Sequence, residues 1–367
     1  MSTKSKRKYL QYLNPLELLQ TKKILQSNPT INEKKPTRQE SQLSLYSYNE
    51  GRCEVQEHAS IEHILHLTKN ANMNHWLNLD IINNETVEGI ASKLGLHNLL
   101  IEDILNVHQR PKIDEFEDAF SMVMQMLYFN EQKGTIESEQ VSFVLKNGLL
   151  LSFQDDAARD LFNAIRARLK TTGSKLRNSG TDSLLYALVD AIVDHYFIVL
   201  EKVGHLIEKL EEEITSEMQD HYMMNRINTL RKELIFFKRN VEPVREMINN
   251  ILRTENPMIS DKRKQYFKDI YDNTLHVNDL TENYRDIINS IRDLYLSQMN
   301  LKMNEVMKFL AIVTTLLAPA TVIGGIFGMN FDKIPYLHHQ NGFWIASIFM
   351  ILIPFIMLVY FRRKGWF

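Results

Sequence analysis

The pattern of apolar and polar positions changes character three times along the chain. From about Gln42 to Asp155 short apolar runs alternate with polar breaks. LSLYSY (43–48), HWLNLDI (75–81), FSMVMQMLYF (120–129), VSFVLKN (141–147) and GLLLSFQ (148–154) read as strands. SIEHILHLTKNA (60–71) and TVEGIASKLGL (86–96) read as helices, the second starting at a Thr86 cap followed by Glu88. Asn147-Gly148 is a hairpin signal between the last two strands. The expected fold there is α/β or α+β, a predominantly antiparallel or mixed sheet flanked by helices.

From about Asp156 the period becomes helical. Long helices are expected over 184–218 and 222–253, the latter stopped by Pro257. A third starts near Ile259 or Ser260 and runs unbroken to Gly328. At 1.5 Å per residue it is on the order of 100 Å long, far beyond an ordinary globular helix. It reads as a stalk.

Within that stalk the charges stop. Residues 309–327 and 343–361 are two uncharged runs of 19 residues, joined by the 15 residues 328–342. Each is close to the roughly 20 apolar residues that span a bilayer as a helix. A joint this short makes a hairpin with both chain ends on one side. Lys302 and Lys308 precede the first run, Arg362, Arg363 and Lys364 follow the second, and Asp332 and Lys333 cancel in the loop. Positive charge stays inside, so both termini are expected to be cytoplasmic. The rival reading, two core helices of a soluble protein, does not explain the basic flanks.

The first run carries an unusual face. Steps of three and four back from Gly328 meet Gly325, Thr321, Ala318, Thr314, Ala311, Met307, Asn304, Asn300, Ser297 and Asp293. A sustained heptad argues for helices packed about a common axis. Small residues such as Gly325 and Ala318 suit close helix packing in a membrane. Asn300, Asn304 and Asp293 suit a wet channel better. Two spans cannot enclose a channel, so a pore needs several copies around the axis. Gly328 is expected to stop the helix in a left-handed cap, leaving Met329 and Asn330 at the outer mouth. A ring of Asn330 amides would offer oxygens to a hydrated Mg²⁺, which gives up its water reluctantly.

Composition narrows the classes. The 367 residues are 44% hydrophobic with net charge −2, which does not suggest a nucleic-acid partner. The single cysteine, Cys53, excludes an internal disulfide and a cysteine-rich metal site. The basic start (Lys4, Lys6, Arg7, Lys8) lacks a following apolar core and is no secretory signal. No glycine-rich phosphate loop, nucleophile elbow or His-Glu-x-x-His is present in the first 155 residues, so no enzyme is indicated. The acids Glu208, Glu211, Glu212, Glu213 and Glu217 read as a solvated helix face.

Gly-Met-Asn at 328–330, after the first of two closely spaced C-terminal spans, resembles the signature of CorA-type magnesium channels. The resemblance extends to IEDILNVHQRPK (101–112), ESEQVSFVL (137–145), LVDAIVDHYFIVLEKV (188–203), YFKDIYDNT (266–274) and LYLSQMNLKMNEVMKFL (294–310). It implies a funnel-shaped homopentamer in the cell (inner) membrane, with Mg²⁺ both transported and regulatory and Co²⁺ or Ni²⁺ as further cargo. It assigns Gly328, Met329 and Asn330 to the selectivity filter. Asp293, Asn304, Met307, Leu310, Thr314, Ala318, Thr321 and Gly325 fall to the pore lining. Asp103 and Asp269 of neighbouring subunits match a regulatory Mg²⁺ site, and Glu102 with Asp190 a second one. Taken alone, Asp103 could pair with Arg110 or Lys112, and Asp269 has Lys262, Arg263, Lys264 and Lys268 around it. Two departures stand out. Pro335-Tyr336 lacks the acid that relatives often carry in the outer loop after the proline, and Ala318 replaces a lining methionine of some relatives.

The implied organisation is a basic mobile tail (1–41), a regulatory domain (42–257), a stalk (258–308), a first span (309–328), an outer loop (329–342), a second span (343–361) and a basic tail (362–367). A zinc or cobalt transporter of the same fold, or a membrane-anchored scaffold, are the rival functions. The partners expected are further copies of the chain and membrane lipid.

Overall fold

Seven strands pair into one sheet in a computed structural model that describes residues 42–57, 61, 62, 64, 68, 72–106, 109–155, 159–215, 222–330, 334, 335 and 339–366. The expected tail (1–41), most of the expected helix at 60–71, Glu217, Asp332, Tyr336 and His338 lie outside these residues.

The strands are β1 (Gln42–Tyr48), β2 (Cys53–Glu57), β3 (Asn74–Asp80), β4 (Lys112–Glu115), β5 (Phe120–Asn130), β6 (Thr135–Lys146) and β7 (Leu149–Gln154). Their order is β2-β1-β3-β7-β6-β5-β4. β3 and β7 run parallel, with Leu77 beside Leu151; all other pairs are antiparallel. The sheet is mixed, as expected. Lys146 pairs with Leu149 across the two-residue turn, where Gly148 takes φ 73, a conformation that disfavours any side chain. The five expected strands are all present; β2 and β4 were not anticipated.

Helix α1 (Asn84–Leu94) is capped by Asn83, whose Oδ1 accepts the Glu85 N–H at 3.1 Å, and it ends at Gly95 with φ 65. The expected Thr86 cap is therefore corrected, because Asn83 satisfies the orphan donors one turn earlier. Helix α2 (Asn98–Leu105) follows. One sheet face buries Leu45, Leu77, Leu79, Leu151 and Phe153 against Val87, Ile90, Ala91, Leu100 and Ile104 of these two helices. The other face carries a polar ladder. The Trp76 Nε1–H donates to Ser152 Oγ at 2.9 Å, Ser152 donates to Asn78 Oδ1 at 2.6 Å, and the Asn78 amide donates to Asp80 at 2.8 Å. Burial pushes the Asp80 carboxyl above its usual range, against hydrogen bonds from Asn78 and Gln154.

The helices that follow are α3 (Asn163–Lys170), α4 (Thr181–Thr215), α5 (Met223–Arg253), α6 (Asp261–Phe327) and α7 (Gly342–Arg363). The three long helices expected from periodicity match α4, α5 and α6 to within a few residues. Helix α6 has 67 residues and passes through Pro319 without a break, an extent of about 100 Å.

The described residues form two compact units, one made of those from Gln42 to Glu201 with Ile235–Thr281, the other of those in Lys202–Leu234 and from Glu282 on. The first holds the sheet; in it the buried Tyr196 hydroxyl of α4 donates to Gln125 O at 2.6 Å. The second holds the end of α6, all of α7, and a close crossing of α4 and α6 at Gly204 and Tyr284.

Among the described residues, three helices are long and apolar enough to cross a membrane: α4, α6 and α7. In α4 the most apolar window is 61% buried within the protein, whereas in α6 and α7 the figures are 6% and 11%. The apolar residues of α4 are core; Leu184, Leu185, Leu188, Val189, Ile192 and Val193 are inaccessible to solvent. The last two helices leave theirs exposed, which is stable only in an apolar surrounding.

Candidate functional site

The periodicity of α6 decides which of its faces meets α7. Leu316, Pro319, Ala320, Ile323 and Phe327 are half-buried, at helical spacing, and Ala346, Met350, Ile353, Pro354 and Met357 of α7 are their counterparts. A cleft of about 290 Å³ between the two helices is lined by Ile323, Phe327, Gly342, Ile345, Ala346, Phe349 and Ile353. The opposite stripe of α6 stays uncovered. Asp293, Asn300, Asn304, Met307, Leu310, Ala311, Thr314, Ala318, Thr321, Gly325 and Gly328 are all exposed. The polar heptad therefore lies on the face that α7 leaves free.

Two threonines on that face are oriented by their own helix. Thr314 Oγ1 donates to Leu310 O at 2.9 Å and Thr321 Oγ1 donates to Leu317 O at 3.0 Å. With its proton committed to the backbone, each hydroxyl oxygen keeps lone pairs for a donor outside the helix. Water held by a cation is such a donor. Lower on the stripe, Asp293 is paired with its neighbour Arg292 (3.0 Å), both partly or fully exposed.

At the end of α6 the structure departs from expectation. Gly328 does not take the left-handed conformation. Its N–H continues the helical ladder to Gly324 O at 2.9 Å, and Met329 N–H closes a tighter turn on Ile326 O at 3.3 Å. What Gly328 supplies is room, since a Cβ there would stand 3.0 Å from Gly324 O. Met329 and Asn330 follow, both exposed.

Aromatic residues mark both ends of the hairpin. Phe343 and Trp344 open α7, and Tyr360 and Trp366 stand at its other end, all exposed. Rings of this amphipathic kind collect at membrane interfaces.

The acids matched to regulatory positions, Glu102, Asp103, Asp190 and Asp269, are in the first unit. Asp103 is buried on α2, and both its carboxylate oxygens are engaged: Gln109 Nε2 donates to Oδ1 and Lys112 Nζ to Oδ2, each at 2.7 Å. The Gln140 amide donates to the backbone O of Asp103 at 2.9 Å. Of the two pairings open to Asp103, Lys112 is the one formed. Lys112 also reaches Asp114 at 3.0 Å. Burial lowers the pKa of this ammonium, but the hydrogen bonds to Asp103 and Asp114 outweigh it and hold the group above its usual value. Glu102 and Asp269 are exposed.

Asp190 on α4 is half-buried, and its pKa is pushed up to about 6, first by burial and next by the nearby charge of Asp194; Asp269 adds to the shift and Arg168 opposes it. Burial first, and then the charges of the same three aspartates, push the Tyr186 hydroxyl up to about 12. Asp190 and Asp269, 79 residues apart in the chain, thus share one electrostatic neighbourhood. No hydrogen bond or ion pair links Glu102 or Asp103 to them, and no cluster of three or more metal-binding side chains occurs among the described residues. Asp194, Tyr186, Gln109 and Gln140 were not anticipated. The i, i+4 spacing of Asp190 and Asp194 was the available signal for one of them.

The family model described as CorA-like Mg2+ transporter protein matches residues 72–363. A Thermotoga maritima protein named cobalt/magnesium transport protein CorA is 38% identical over 292 residues, 79% of this chain and 83% of that protein. The complete structure of the CorA magnesium transporter from Methanocaldococcus jannaschii superposes with a TM-score of 0.75 at 26% identity, covering 88% of this chain and 98% of that one. The cytoplasmic domain of ZntB from Vibrio parahaemolyticus shares the fold at a TM-score of 0.55 and 14% identity, over 70% of this chain and 98% of that one.

Proposed function

The chain belongs to the CorA-like Mg2+ transporter family, and we propose that it is a homopentameric channel for passive, voltage-driven Mg²⁺ uptake, with Co²⁺ and Ni²⁺ as further cargo. The observation that carries this reading is the stripe of α6 that α7 leaves free and that ends at Gly328-Met329-Asn330. Copies of this stripe facing a common axis would line a pore, with Asn330 amide oxygens hydrogen-bonding the water of a hydrated ion at its outer mouth. Below them Thr321 and Thr314 present acceptors to the same water. At Met307 and Leu310 the lining becomes apolar, and such rings close a pore by excluding water.

Both termini and the sheet-bearing unit are cytoplasmic in this reading, in the cell (inner) membrane. The basic ends of α6 and α7 support that orientation. An inside-negative potential stabilises each entering charge by about 2.3 kcal/mol per 100 mV, and a divalent ion by roughly twice that. No further energy source is needed.

Mg²⁺ is also the regulatory ion. Carboxylates of Asp103 and Asp269 from neighbouring subunits repel when bare, and a divalent ion between them stabilises the closed arrangement. Glu102 with Asp190 would form the second site. A ligand shifts such an equilibrium only by its differential affinity for the two states.

The test is flux into liposomes containing the purified chain, with a potassium diffusion potential. Mg²⁺ entry that rises with inside-negative potential is expected. Robust Zn²⁺ flux without Mg²⁺ flux would move the chain to a transition-metal role. Silence for every ion at low internal Mg²⁺ would leave the hairpin as a mere anchor.

A further inference from the structure

The end of α7 is a built turn. Trp366 N–H donates to Phe361 O at 3.1 Å and Gly365 N–H to Arg362 O at 3.2 Å, with Gly365 at φ 70. This is the paired hydrogen bonding of a Schellman cap, with glycine at the position that needs a left-handed backbone. The apolar contact that accompanies such caps is present: the Trp366 and Phe361 rings stack with centroids 5.1 Å apart and planes at 11°.

That turn docks on the base of the first span. Lys308 Nζ donates to Gly365 O at 3.2 Å and stands 6.0 Å from the Trp366 ring centroid. Arg362, Arg363 and Lys364 on the turn are exposed, and among the described residues they form no ion pair. Four cations thus gather at the ends of the two uncharged spans. The acid on the same stretch of α6 is Glu305, one turn before Lys308, exposed and not bonded to it.

We propose that Lys308 and the turn Arg362–Trp366 form a binding site for the phosphate of an anionic lipid headgroup, a role that rests on the reading of α6 and α7 as membrane spans. Lys308 fixes the turn through one of its three N–H donors and keeps two for phosphate oxygens. Arg362 and Arg363 add forked donors that match phosphate geometry. The position selects a lipid over a soluble anion, because the site caps both apolar spans at the level where Trp366 and Tyr360 meet the interface. Each basic residue near an anionic surface strengthens attachment about fivefold. The site also lies beside Met307 of the exposed stripe.

The test uses the full-length chain in a neutral detergent, with native mass spectrometry counting bound phosphatidylglycerol or phosphatidylcholine. The parent should retain phosphatidylglycerol at concentrations at least tenfold below those needed for phosphatidylcholine. Arg362→Gln with Arg363→Gln should erase most of that preference, and Arg362→Lys with Arg363→Lys should keep most of it. Gly365→Ala leaves every charge in place but strains the turn, and it should weaken retention severalfold. Equal retention of the two lipids by the parent, or no loss in the glutamine variant, would overturn the proposal. Unchanged retention in Gly365→Ala would overturn the part played by the turn. Displacement by equimolar inorganic phosphate would overturn the assignment to a lipid. A chain that stays dispersed in water without detergent would instead sink the membrane-spanning reading itself.

Discussion

Lys112 holds the carboxylate of Asp103, Nζ to Oδ2 at 2.7 Å, in the single chain. A divalent ion that takes Asp103 as a ligand competes with this ammonium, and with the amide of Gln109 on the other oxygen. In the proposed regulatory role of Asp103, Lys112 competes with Mg²⁺ for this carboxylate. A charge-assisted hydrogen bond contributes about 1.5–3 kcal/mol when protected, less when half-exposed as here. Lys112→Met should lower the internal Mg²⁺ that half-inhibits uptake, roughly three- to tenfold. Inhibition curves on inside-loaded vesicles measure the shift, and a move to higher Mg²⁺ would count against Asp103 as a ligand.

Removing both proposed regulatory acids should separate transport from its control. With Asp103→Ala and Asp269→Ala together, Mg²⁺ uptake at low internal Mg²⁺ is expected to match the parent. Closure at high internal Mg²⁺ should require at least tenfold more ion. A double variant that closes at the parent's concentration would show that sensing lies elsewhere.

Asp190 gives a pH dependence of definite sign. Its folded-state pKa of about 6 lies above the ordinary aspartate value. Between about pH 4 and 6 the folded chain holds a proton that the unfolded chain has released. Stability from this group is thus full below that window and is lost as pH rises through 6. Asp190→Asn, melted in the presence of a chelator, should exceed the parent's melting temperature at pH 7.5, with the gap closing by pH 4.5. A gap that widens on acidification would contradict the assignment. Mg²⁺ should raise the parent's melting temperature more than the variant's at pH 7.5.

Gly204 and Tyr284 make a close helix crossing in the second unit. A Cβ on residue 204 would overlap the Tyr284 hydroxyl oxygen and lie 2.9 Å from Cζ. Gly204→Ala should destabilise the chain by about 1–3 kcal/mol through overpacking. Adding Tyr284→Phe removes the nearer atom and should recover part of the loss. Denaturant or thermal melts of the purified variants decide it; a neutral Gly204→Ala would show that the two helices separate readily.

The residues differ in how far they announced this arrangement. The interior strands were legible because Leu77, Leu79, Leu151 and Phe153 keep an apolar period on a buried face. The two strands that went unread, Cys53–Glu57 and Lys112–Glu115, are the two edges of the sheet. Edge strands are short and half-solvated, so they carry little hydrophobic pattern. The stripe from Asp293 to Gly328 was readable because it is periodic over a single long helix. Whether Gly328 turns left-handed was not, since that depends on whether the helical ladder can close once more, as it does on Gly324. The pairing of Asp103 with Lys112 was one of two options nine or fewer residues away. The approach of Asp269 to Asp190 joins distant segments and leaves no local trace, and the docking of Lys308 on Gly365 is of the same kind.

The most direct measurement is Mg²⁺ entry into liposomes bearing the chain, under an inside-negative potential, compared between the parent and Asn330→Ala. The expected result is uptake in the parent that steepens with potential and falls at least tenfold in the variant, while the variant's melting temperature stays within about 2 °C of the parent's. Equal uptake by a well-folded Asn330→Ala, or parent uptake indifferent to the potential, would contradict the reading of α6 as the wall of a voltage-driven pore.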